Sequence, residues 1–179
     1  MRTRGVIAFG CVACILLAFA DESALGNGGR GKFNYYQART EFSGGSVTFN
    51  ALIDNVLFHL LSLKEEYKVV RLQVENRSQK VLPLSREKDK VELRFGDRTI
   101  PGLLHLSGHD PILWDALDAD LRKTLAYPKT IEPGEMESVY ILIPIPALKE
   151  VKGAPDILLY KIDSLQKEPI RIEPPRAKL

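Results

Sequence analysis

Apolar residues at every second position constrain this chain most. In Tyr67–Glu75, Val70, Leu72 and Val74 alternate with Arg71, Gln73 and Glu75. Successive side chains of a strand point to opposite faces, so this run has one buried face and one wet face. The same grammar returns at Val47, Phe49 and Ala51, and at Val91, Leu93 and Phe95. A strand with one apolar face must join a sheet and cover that face with another layer. Repetition at short intervals, with turn residues between, predicts an all-β domain of seven to nine short strands.

Turn chemistry sets the boundaries. Gly44-Gly45 separates strands expected at 36–42 and 46–52, and Gly96-Asp97 closes a tight hairpin between 91–95 and 98–104. Asn76-Arg77-Ser78 reads as the turn after the clearest strand, and would be a glycosylation sequon in a eukaryotic secretory pathway. Pro83 limits 81–84 to an edge strand or bulge. Val139–Ile143 is apolar on both faces and reads as a central strand stopped by Pro144 and Pro146, and 156–163 and 170–172 supply two more strands. Residues 52–63, which include His59, fit a short helix or a continued strand equally well.

One inserted short helix is expected. Asp110 suits its N-cap and Pro111 its first turn, while Leu113, Leu117, Leu121 and Leu125 recur at i, i+4 spacing. Asp115, Asp118 and Asp120 precede Arg122 and Lys123, the order the helix dipole favours. Trp114 is expected to anchor this helix over a sheet edge and to form part of an interaction surface.

The N-terminus has the pattern of an export signal. Arg2 and Arg4 precede an uncharged run from Gly5 to Ala20 that ends Ala18-Phe19-Ala20 before Asp21-Glu22. Residues 1–20 are read as a signal peptide, 21–32 as a Gly-rich spacer, 33–173 as the domain and 174–179 as a tail. Export followed by cleavage near Ala20 places the product in the periplasm or outside the cell. Both cysteines, Cys11 and Cys14, lie in the leader, so the domain must hold itself together by core burial without disulfides. Lys and Arg number 25 against 23 Asp and Glu, and Arg2 and Arg4 are the excess. A charge-balanced domain argues against nucleic acid as a partner, which wants a basic surface. No apolar run after the leader is long enough to span a membrane as a helix.

Chemistry-bearing motifs are sparse. His105 and His109 with neighbouring Asp110 have the residue types of a zinc or copper site, but Gly108 places the histidines in a loop. Solvated loop histidines are the simpler reading, and no cofactor is called for. There is no G-x-S-x-G elbow and no H-E-x-x-H, and no spacing singles out a carboxylate pair for hydrolysis.

The stretch from Tyr67 to Ser78, with Ile131-Glu132-Pro133-Gly134-Glu135 leading into Val139–Pro144, resembles the telokin-like group of immunoglobulin-like domains in bacterial exported proteins. The bacterial proteinase-inhibitor type of immunoglobulin-like domain is a second resemblance. The likeness implies an immunoglobulin-like β-sandwich and no catalytic residues. The helix around Trp114 and the missing lipobox depart from the pattern. The expectation is an exported, non-catalytic protein acting through contacts with an envelope partner. A metal carrier using His105 and His109, and a hydrolase with an unidentified carboxylate pair, are the alternatives.

Overall fold

The computed structural model describes residues 34–53, 66–149 and 151–174. The leader, the spacer, both cysteines, His59 and most of the ambiguous 52–63 stretch lie outside the described residues.

The chain is mostly β, with antiparallel sheets and few helices. One sheet has the order β1-β2-β3-β8, formed by Asn34–Phe42, Gly45–Ile53, Tyr67–Arg77 and Met136–Pro144. The other has the order β10-β9-β5-β6, formed by Ile170–Ile172, Ile157–Lys161, Lys90–Phe95 and Arg98–Gly102. A two-stranded ribbon pairs β4 (Leu82–Pro83) with β7 (Thr130–Ile131). Ten strands among the described residues exceed the expected seven to nine, because the ribbon's two-residue strands are too short to show a period.

Alternation puts the expected residues inside. Val47, Phe49, Ala51, Val70, Leu72 and Val74 from one sheet share an apolar cluster with Val91, Leu93, Leu158 and Tyr160 from the other. Phe49 and Tyr160 meet edge to face across it, with ring centroids 6.1 Å apart. Single bridges join the two sheets at both sides. Gln37 N–H donates to the Glu173 carbonyl at 2.8 Å, and Leu103 N–H to the Leu142 carbonyl at 2.8 Å, each returned by a reciprocal bond. These two single bridges tie the end strands of one four-stranded sheet to the chain flanking the other.

Several local expectations change. The first hairpin turns on Ser43 and Gly44, with φ of 42° and 76°, and Gly45 already pairs with Phe42. Two positive φ values are what a two-residue turn between twisted strands requires. Asn76 is the penultimate residue of β3 and fully buried, instead of lying in an exposed turn. Its Nδ2 donates to the carbonyls of Lys80 and Ile131, both at 2.8 Å, and its Oδ1 accepts from the Ser78 hydroxyl at 2.6 Å. Its backbone bonds the Gly134–Glu135 turn. As a sequon it is inaccessible in the folded chain.

β8 ends its sheet; it is not central. Both its faces are apolar because helices cover the outer one. The single inserted helix is two helices, α1 (Pro111–Ala116) and α2 (Ala119–Leu125), and a third, α3 (Ile145–Leu148), follows β8. Leu117 is extended, and Asp118 starts α2 by accepting from Leu121 N–H at 2.7 Å. Among the described residues no helix is long and apolar enough to cross a membrane.

Candidate functional site

The segment that leaves β6 carries all the residues singled out for function. Leu103 crosses to β8, Leu104 enters the main cluster, and Leu106 enters a second one. This second cluster sits on the outer face of β3 and β8, where Tyr67, Val69 and Leu142 meet Leu106, Leu117 and Leu125. Leu113, Trp114, Leu121 and Tyr140 pack against it. The leucine spacing thus selected the buried side correctly, although the chain breaks between the two helices.

Trp114 is partly buried in this cluster and so serves the molecule's own packing. The side chain that projects is its neighbour Ile112, 84% exposed. The sequence signal for Ile112 was an apolar residue off the leucine stripe, immediately after Pro111. Asp110 caps α1, its Oδ1 accepting from Leu113 N–H at 3.0 Å.

His105 and His109 line one cleft of about 320 Å3 against β5, together with Arg86, Asp89, Lys90 and Glu92. The imidazole of His105 packs closely against Gly108. A Cβ at Gly108 would stand 2.3 Å from His105 Cε1, so only glycine admits the ring there. His105 Nδ1 is buried and has no hydrogen-bond partner. His109 is exposed, and Asp110 is committed to its cap. Among the described residues no group of three or more His, Cys, Asp or Glu could hold a metal ion, so His105, His109 and Asp110 are not assembled as a ligand set.

Asp89, at the back of the cleft, is 5% exposed and fully engaged. Its Oδ1 accepts from Asp163 N–H at 2.8 Å, and its Oδ2 from Ser85 N–H at 2.8 Å and the Tyr127 hydroxyl at 2.6 Å. Tyr127 and Tyr160 hydroxyls are 2.6 Å apart. Since the Tyr127 proton goes to Asp89, Tyr160 must be the donor between them. Burial, first of all, pushes the titration of both phenols far upward. Sequence reasoning missed this chain because Asp89 sits in a charged loop beside Arg86, Glu87 and Lys88, with nothing local to mark it as buried.

No family model, curated protein or solved structure matches this chain. The site's chemistry must therefore be read from the geometry. Among the described residues, hydrogen bonds from Arg77 and Arg86 hold the Glu75 and Glu87 carboxylates, respectively, below the usual range.

Proposed function

We propose that this chain is an exported, non-catalytic binding module with an immunoglobulin-like sandwich, and that its helical insertion contacts a protein partner in the cell envelope. The observation that carries the reading is Ile112. It stands 84% exposed on a helix fixed by an aspartate cap and by a cluster of its own. A rigidly mounted apolar side chain loses little conformational entropy when a partner covers it. The strand order supports the sandwich assignment. β2, β3 and β8 correspond to strands A, B and E of an immunoglobulin-like domain, and β5, β9 and β10 to C, F and G. Here β1 is an addition beside A, and β6 lies beside C. The Ala18-Phe19-Ala20 sequence supports export.

The test is site-specific photocrosslinking in cells that express the full chain. A discrete product from position 112, found in the envelope fraction and absent from position 97 in the β5–β6 turn, is the expected result. No product from 112, or protein that stays in the cytoplasm, overturns the proposal.

A second reading keeps His105 and His109 as a two-residue transition-metal site; both line one cleft, although no third ligand joins them among the described residues. Metal analysis of chain purified without tag or chelator decides this. Sub-stoichiometric zinc and copper ends it.

A further inference from the structure

β3 separates two environments. Its outward residues Tyr67 and Val69 lie under the helical insertion, while Lys68 and Val70 alternate toward the opposite side. On that side, α3 and the loop at 151–155 close over the end of the two sheets and leave a partly enclosed pocket of about 140 Å3. Val70, Phe95, Ile143, Leu148 and Val151 form its apolar wall. The loop is held in place by the Tyr36 hydroxyl, which donates to the Pro155 carbonyl.

Two properties of this pocket point to a ligand. The first is size. An apolar cavity of about 150 Å3 takes up benzene, so this space fits one ring or a short branched chain. The second is charge. Lys68 is the only ionisable residue among the described residues lining the pocket. It is exposed, and it makes no ion pair among the described residues. Its ammonium group complements a single negative charge at the open side while the apolar wall takes the rest of the molecule.

We propose that this pocket binds a small monocarboxylate, with one ring or a short branched chain in the pocket and its carboxylate at Lys68. Lys68 and Val70 face away from the insertion, and Val69 is the residue that borders both the pocket and the cluster beneath the insertion.

The experiment is a methyl-detected NMR titration of the full chain with benzoate, benzyl alcohol and benzylamine. These share one ring and differ in charge. Benzoate is expected to shift the methyls of Val70, Ile143, Leu148 and Val151 saturably. Benzyl alcohol should bind about tenfold more weakly, the size of one charge-assisted contact. Benzylamine should leave the spectrum unchanged. Lys68→Gln should bring benzoate to the level of benzyl alcohol. Val151→Trp, which fills the space with an indole, should abolish both responses with the rest of the spectrum native. Equal affinity for benzoate and the alcohol overturns the carboxylate assignment. No shift with any of the three, or shifts away from the pocket, overturns the site.

Discussion

Tyr127 shows how one hydroxyl can tie distant parts of a chain. It links Asp89, which anchors the turn before β5, to Tyr160 near the end of β9. Replacing it with Phe keeps the ring and removes the bond to Asp89. It also leaves the Tyr160 hydroxyl without its acceptor. The expected loss is about 1–3 kcal/mol, the usual cost of stranding a buried polar group, read from urea unfolding. Asp89→Asn should cost more, because an amide NH2 would face the donors that now converge on the carboxylate. The double variant should lose less than the sum of the two, since both changes break the same bond. Strict additivity in that cycle would mean that Asp89 and Tyr127 stabilise the fold independently. None of this was legible in the sequence, where Asp89 looks like any charged loop residue. Asn76 is the instructive contrast. Its type and its place at a strand end are visible in the sequence, and so is the Pro133-Gly134-Glu135 run ahead of Val139–Pro144. Only the structure puts the two in contact through Asn76 N–H to Glu135 O at 2.9 Å and Gly134 N–H to Asn76 O at 2.7 Å.

At the scale of elements, periodicity was most informative where one face is buried and one is wet. β2, β5 and the 70–75 stretch of β3 come closest to that condition, and their apolar residues fall where alternation put them. β8 breaks it, because the insertion buries its outer face, and this made an end strand read as a central one. The insertion shows the converse error. Leu113, Leu117, Leu121 and Leu125 do reach a common cluster, but spacing cannot reveal a break that keeps the side chains on one side. Asp118 makes that break as the N-cap of α2, although in the sequence it is one of three acids placed as the dipole of a single helix favours. Asp118→Ala should therefore cost about 1 kcal/mol, the worth of an N-cap. Asp115→Ala, on the exposed face of α1 with no side-chain bond among the described residues, should stay within about 0.5 kcal/mol of the parent. Urea midpoints for the pair measure this. Equal effects would mean that the residues form one continuous helix in solution.

At the scale of the whole molecule, the two sheets are held together from inside by buried aromatics whose hydroxyls must stay protonated. Burial raises the titration of Tyr36, to about 12, and that of Tyr127 and Tyr160 further still. Tyr67, beneath the insertion, is also raised. In the unfolded chain these phenols ionise near 10, so above that pH the unfolded state gives up protons that the folded state retains. The sign follows from that difference. Stability contributed by these groups is complete below pH 10 and falls as the pH rises toward their folded values. Each phenol that stays protonated costs about 1.4 kcal/mol per pH unit in this window. Tyr36, Tyr127 and Tyr160 all act in this direction, so stability falls as the pH rises above 10. The urea midpoint should be insensitive to alkali below pH 10 and then drop steeply. Tyrosinate absorbance should rise together with the loss of structure, and Tyr127→Phe should make the fall shallower. If these phenols ionise near 10 while the sheets remain intact, the buried hydroxyl chain is open to water and the account of Asp89, Tyr127 and Tyr160 fails with it.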